Sequence, residues 1–408
     1  MKKISSLFIV LCVLCACKNE KKTLVDAPVM VHTVDLPAST NSAEPFLFSG
    51  DTAILSWIEN ENDSIYSLKY AKLNGEKWDS IKTITQGTDW FVNWADFPAI
   101  AENNGNILSH FLQRSADGTY TYDIQLKLFN INDDTWSKDF ILHTDGTKSE
   151  HGFVTMLPYQ EDSFFVTWLD GRNTSGGEDH GGHGGGAMTI RAAEVKLDVS
   201  IVNEVELDSK TCDCCQTSAA ITSNGGIVVY RDRSDDELRD IYITRLKDSV
   251  WTKPVAIYND NWKISGCPVN GPKAVAIENT LAVSWFTNAN ETPKVQVIFS
   301  NNGGESFKKP ITVDEGVPIG RVDVAMIDQE NVLVSWVTVD NSKTVVKVVK
   351  AHISGKLGTP VIVTELDPSR ASGFPQLEVV NNRAYVAWTG ISENKTQVKT
   401  AYITLEDF

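Results

Sequence analysis

An all-β fold of repeated antiparallel sheets closed into a ring is what this sequence predicts, and three observations predict it. First, seven short apolar runs recur at intervals of about fifty residues: FLFSGDTAILSW, FPAIAENNGNILSHF, GFVTMLPYQEDSFFVTW, TSAAITSNGGIVVY, GPKAVAIENTLAVSW, VDVAMIDQENVLVSW and GFPQLEVVNNRAYVAW. Second, each run is rich in Val, Ile, Thr and aromatic residues and is bounded by Gly, Asn, Asp or Pro, with no helical period of any length. Third, every run is followed by a further alternating stretch, such as YSLKYAKL, YDIQLKLF or TVVKVVKAHI. A fixed period whose unit is a small antiparallel sheet is the signature of a β-propeller. The prediction is a single all-β propeller of seven four-stranded antiparallel blades over residues 29–408, or six if one unit is not a full blade.

Taken in order, each unit supplies two inner strands from its apolar run, a third strand, a polar turn and a fourth strand. An aromatic residue often follows the turn, as at Trp78, Trp136, Trp251 and Phe307. The last unit stops after its third strand, at Leu405. Its missing strand is expected from the N-terminal PVMVHTVDL, which would close the ring and leave no open sheet edge.

Ahead of that strand, Lys2 and Lys3 precede an apolar stretch from Ile4 to Leu14 that suits a secretory signal and is too short for a permanent span. Leu14-Cys15-Ala16-Cys17 resembles a bacterial lipobox, so residues 1–17 read as a lipoprotein signal and Cys17 as the lipidated residue. Residues 18–28 read as a solvated tether. Lys18 after the anchor resembles the outer-membrane sorting pattern, which implies a cell-envelope location and contact with the membrane through the lipid alone.

One turn carries a second resemblance. Ser300-Asn301-Asn302-Gly303-Gly304-Glu305-Ser306-Phe307 is similar to the Asp-box, S-x-D-x-G-x-x-W, with Asn for Asp and Phe for Trp. Degenerate copies such as LNGEKW and NINDDTW sit at equivalent turns. The resemblance is to the sialidase-like propellers, and it implies their fold more than their activity. It also implies an extracellular glycan or small acidic sugar as the partner, held through its carboxylate by a triad of arginines. The R-I-P segment of sialidases is absent near the N-terminus, and no Tyr/Glu pair stands out in the sequence.

The net charge of −16 argues against nucleic acid as a partner. Four cysteines lie beyond the leader: Cys212, Cys214, Cys215 and Cys267. Outside the cytoplasm such a small set reads first as disulfides.

A four-stranded blade places the loop leading into its first strand and the loop between its second and third strands on one face. Sorted this way, most chemically unusual residues gather at one mouth of the channel. Arg114, Arg172, Arg231, Arg233, Arg321 and Arg370 are the candidate carboxylate ligands; the competing reading pins Arg172 and Arg231 to Asp170 and Asp232. Trp94 and Trp262 are candidate sugar-stacking surfaces, or wedges between blades. For catalysis, Asp96, Asp170 and Asp232 are candidate acids, and Tyr230 or Tyr122 candidate partners.

The Cys-x-Cys-Cys run and Cys267 lead into neighbouring blades. A cross-blade disulfide is the first reading, and a copper or zinc ion held by the sulfurs, or a redox scaffold, the alternative. His180 and His183, in a Gly-rich loop, are weaker metal candidates beside a solvated-loop reading. A protein-interaction platform is a third function class. No cofactor beyond such an ion is implied.

Overall fold

Each predicted unit folds into one antiparallel sheet, and seven sheets stand around a common axis. The computed structural model describes residues 29–174 and 186–408. Blade 1 holds Ser42–Ser49, Ala53–Asn62, Ile65–Asn74 and Lys82–Gly87; blade 2 holds Ile100–Asn103, Asn106–Arg114, Tyr122–Asn130 and Phe140–Ile141. Blade 3 runs His151–Tyr159, Ser163–Asp170, Thr189–Lys196 and Ile201–Asp208; blade 4 runs Ser218–Thr222, Gly225–Arg231, Ile241–Lys247 and Val255–Ala256. Blades 5 and 6 begin at Lys273–Ile277 and Pro318–Met326. Blade 7 comprises Gln376–Val380, Arg383–Ser392 and Lys395–Thr404, completed by His32–Val34 from the other end of the chain. Short extra pairs such as Lys77–Trp78 tighten the turns before some outer strands.

Closure follows the predicted route. His32, Thr33 and Val34 pair antiparallel with Tyr402, Ala401 and Thr400, and the Thr400 hydroxyl donates to the Val34 carbonyl at 2.7 Å. First strands touch first strands all round the ring, blade 7 meeting blade 1. The N-terminal strand thus covers the outer edge of blade 7.

The recurring aromatic at the end of each apolar run is explained by packing between blades. Trp57, Trp168, Trp285 and Trp336 are almost wholly buried in the second strands. A buried indole N–H needs an acceptor. Each finds a carboxylate: Trp57 donates to Glu59, Trp168 to Asp170, Trp285 to Asp260 and Trp336 to Asp314, at 3.3, 2.9, 2.6 and 2.7 Å. In blade 5 the turn after Ser300 is held by its own side chains. Gly304 N–H donates to the Ser300 hydroxyl at 2.9 Å, Ser306 N–H donates to Asn302 Oδ1 at 3.0 Å, and Gly303 and Gly304 take positive φ.

Bulges shape the channel mouth. The first strands of blades 1 and 3 lose register once and that of blade 6 twice, and Glu44, Phe153 and Arg321 at these breaks adopt φ of 56°, 54° and 50°. Non-glycine residues in this region cost about 1–3 kcal/mol each. The effect is to turn side chains of the innermost strands toward the axis.

Candidate active site at the channel mouth

The loops sorted to one face do converge. A pocket of about 210 Å³ is lined by Phe91, Asn93, Trp94 and Asp96 ahead of blade 2, Tyr122 of blade 2, Glu150 and Phe153 of blade 3, Cys214, Cys267, Val269 and Arg370. Its floor is a phenol between two carboxyls. The Tyr122 hydroxyl donates to Glu150 Oε1 at 2.7 Å and lies 3.2 Å from Asp96 Oδ2, while Phe153 N–H donates to Asp96 Oδ1 at 2.8 Å. Phe91 stacks on the Tyr122 ring at 4.1 Å and fixes its plane. Gly152 is required by space: a Cβ there would sit 2.0 Å from Asp96 Oδ2.

Burial dominates the electrostatics of this floor. It pushes the Asp96 carboxyl up to about 7 against the pull of the Phe153 N–H and the Tyr122 hydroxyl. It raises Glu150 well above its ordinary value, and burial with the adjacent carboxylates does the same to Tyr122. Burial therefore favours the protonated form of each group, and the hydrogen bonds join the three into one network.

The arginines do not assemble as expected. Arg231 is 1% exposed, and its guanidinium donates to the carbonyls of Asn270, Arg239 and Phe286 while covering the Trp262 ring at 4.8 Å. Both residues belong to the packing between blades 4 and 5, so neither offers a binding surface. Arg172 forks onto Asp170 at 2.8 and 2.7 Å and reaches Glu204 at 3.0 Å; Arg233 is taken by Asp213 and Glu237, each at 2.9 Å. Arg114 reaches the carbonyls of Gly118 and Thr119 and lies over Phe91. Arg321 is buried beneath Trp94 and donates to Ser372 Oγ and the Gly373 carbonyl. Arg370 is exposed, lies over the Trp94 ring at 5.7 Å and lines the pocket. One arginine, not a triad, faces the cavity.

Of the five candidate catalytic residues, Asp96 and Tyr122 line the pocket, and Asp170, Asp232 and Tyr230 do not. Asp170 is fully buried beneath Arg172 and Trp168. Tyr230 donates to Asp208 Oδ2 at 2.5 Å at the junction of blades 3 and 4, and Asp232 beside it is pushed up to about 7 by burial and then by Asp208. Glu150, just ahead of the first strand of blade 3, is the partner of Tyr122. The pairing crosses from blade 2 to blade 3, where Tyr122 and Glu150 also form an isolated parallel bridge.

Four thiols stand along one wall. Cys212 Sγ lies 3.3 Å from Cys215 Sγ and 3.9 Å from Cys214 Sγ, and Cys214 and Cys267 line the cavity. All four are free, so the cross-blade disulfide expected from the sequence is not formed. Arg239 Nη1 donates to Cys212 Sγ at 3.1 Å. Burial alone would raise the Cys212 thiol, but the neighbouring thiols and Arg239 outweigh it and hold it well below its ordinary value.

A separate cluster lies one residue beyond Glu150. His143 and His151 stack at 3.6 Å; His143 Nδ1 is 3.0 Å from Asp145, and His151 Nε2 lies 3.2 Å from Asp145 and 3.6 Å from Asp170. His143 had no signal in the sequence beyond its residue type. His180, His183 and Cys17 lie outside the described residues.

No protein-family model and no curated protein sequence matches the chain. Solved structures do. The polysaccharide lyase Uly1 is similar at 10% identity over 89% of this chain and 90% of its own, with a TM-score of 0.53. The Hadza microbial sialidase Hz136 matches at 10% identity over 85% and 75%, TM-score 0.49. A protein of unknown function from Dyadobacter fermentans matches at 11% identity over 76% and 94%, TM-score 0.49. At this identity the likeness to the lyase speaks to the shared propeller fold.

Proposed function

We propose that the channel mouth binds and processes an extracellular glycan or acidic sugar, in a protein held at the outer membrane through a lipid on Cys17. The observation that carries the reading is the Tyr122 hydroxyl between Glu150 and Asp96 at the floor of an open pocket. Cleaving a glycosidic link, by hydrolysis or elimination, needs one group to give a proton and another to take one or to attack. A carboxyl kept protonated by burial supplies the acid. Glu150 in its ionised form is the base, taking the second proton through the Tyr122 hydroxyl that hydrogen-bonds it. Trp94 offers a half-exposed ring for stacking on a sugar face, and Arg370 beside it offers a guanidinium for a carboxylate. The polysaccharide lyase of the same fold is in keeping with a sugar polymer as substrate. Because one arginine faces the cavity, the substrate class is an anionic saccharide in general, not sialosides in particular.

The test is a panel of uronic-acid, sulfated and sialylated glycans, read by reducing-end release, by ultraviolet absorbance of unsaturated products and by binding on an array. Turnover is expected to fall roughly 100-fold or more in Tyr122→Phe and Glu150→Gln. Absence of both binding and turnover across the panel would remove the reading.

A further inference from the structure

We propose that Cys212, Cys214 and Cys215, with Cys267 beside them, form a built site for one thiophilic cation, Zn(II) or Cu(I), in the wall of the same pocket. The inference goes beyond the glycan reading and does not depend on it. Three sulfurs lie mutually within 4.8 Å, with two separations of 3.3 and 3.9 Å, on either side of the roughly 3.8 Å that thiolates on one tetrahedral ion take.

The loops that carry them are fixed by buried polar groups. Cys212 N–H donates to the Arg231 carbonyl at 3.0 Å, and the guanidinium of the same Arg231 grips the Asn270 carbonyl, three residues beyond Cys267. Gln216 donates to the Ala95 carbonyl at 2.7 Å and accepts from Gly271 N–H at 3.0 Å, tying the cysteine loop to both the Asp96 loop and the Cys267 loop. Gly271 permits that approach, since a Cβ there would lie 2.1 Å from the Gln216 carbonyl oxygen. Four segments from three blades are thus locked around the sulfurs.

Arg239 is 2% exposed and hydrogen-bonds Cys212 Sγ from behind, as an outer partner that steadies a thiolate ligand. Its charge and that of Arg233 are matched by Asp213 and Glu237, so this quartet is neutral. Three thiolates then leave a net charge of −1 with a divalent ion and −2 with a monovalent one, and the smaller buried charge favours Zn(II). Sulfur donors exclude Mg(II) and Ca(II), which take oxygen.

The experiment uses the mature protein purified without oxygen. It is titrated with Zn(II) against a chromophoric chelator and, in parallel, with buffered Cu(I), and alkylated thiols are counted by mass spectrometry with and without each ion. One equivalent per chain is expected, with at least three thiols protected. Cys214→Ser, at the half-buried position, is expected to lose stoichiometric binding while its circular dichroism is unchanged, and Arg239→Lys to weaken affinity about 10–100-fold. Tighter retention of Zn(II) supports the charge argument, and tighter retention of Cu(I) keeps the site but overturns that argument. Unprotected thiols with both ions, or a Cys212–Cys215 disulfide in the natively exported protein, overturns the proposal. Metal binding without glycan turnover, or turnover without metal, separates its failure from that of the glycan reading.

Discussion

Glu150 and His151 are neighbours in sequence, yet they enter two polar clusters with opposite electrostatics. Successive side chains of an extended segment leave on opposite sides. Glu150 goes to the pocket floor, where its company is a phenol and another carboxyl. His151 goes to a cluster where Arg172 forks onto Asp170 and two imidazoles face Asp145. Burial would raise every acid here. In the first cluster burial outweighs the hydrogen bonds from Phe153 N–H and Tyr122, and Asp96 rises to about 7. In the second, Arg172 outweighs burial at Asp170, and the Thr147 hydrogen bonds with His151 and His143 do so at Asp145, so both carboxyls stay below their ordinary values. The lesson is that depth alone does not decide protonation; the neighbouring cation does. One cluster stores transferable protons beside solvent, and the other stores fixed charge inside the fold.

Breaking the second cluster has the largest expected effect on stability. Asp170→Asn leaves Arg172 without its fork and Trp168 with a weaker acceptor. A loss of about 3–5 kcal/mol is expected in denaturant unfolding. Glu150→Gln, by contrast, is expected to leave the midpoint nearly unchanged while abolishing turnover; equal destabilisation by both would erase the distinction.

Gly152→Ala tests the floor from its backbone side. The added methyl meets Asp96 Oδ2, and a loss of about 1–3 kcal/mol is expected with turnover impaired through displaced Asp96. Unchanged unfolding and turnover would mean that Asp96 does not sit where described.

The pH dependence of thermal unfolding sharpens the contrast. Asp96 rises from an ordinary 3.8 to about 7, and Glu44 and Glu378 rise from 4.5 to about 8, each through burial. The folded state therefore binds these protons more tightly than the unfolded chain. Their contribution is complete below about pH 4 and is lost as pH rises to 7–8. Asp170 and Asp145 have the opposite sign: their contribution is present above the ordinary carboxylate value and lost on acidification. Melting temperature is expected to fall on both sides of a mildly acidic optimum. Asp96→Asn should flatten the alkaline limb, and Asp170→Asn the acidic one.

The smallest effect is expected at the pocket rim. Arg370→Ala should leave stability within about 0.5 kcal/mol, because its guanidinium is exposed, and should raise KM for an anionic glycan with kcat little changed. A fall in kcat alone would move Arg370 from binding to the chemical step.

Much of this architecture was legible in the chain. The seven apolar runs each became the inner strands of a blade, the terminal tryptophans became wedges between blades, and the N-terminal strand closed the ring as its missing partner required. Sorting loops by face also placed Asp96, Trp94, Arg370, Cys214 and Cys267 around one cavity. What did not show was which side chains were already engaged. Arg231 looked like a ligand because its partners are backbone carbonyls of Asn270, Phe286 and Arg239, and a carbonyl has no sequence signature. The Tyr122–Glu150 pair joins two blades across a turn whose register alone brings them together. Glu44 lies just ahead of the first apolar run and is turned inward by a bulge that no residue type announces.

The most direct test is a carboxyl titration by NMR on protein carrying 13C-labelled aspartate, with Asp96→Asn and Asp170→Asn supplying the assignments. The Asp96 resonance is expected to titrate near pH 7 and the Asp170 resonance below its ordinary 3.8. Two ordinary titrations, or the reverse order, would contradict the division between a proton-holding pocket and a charge-fixed interior.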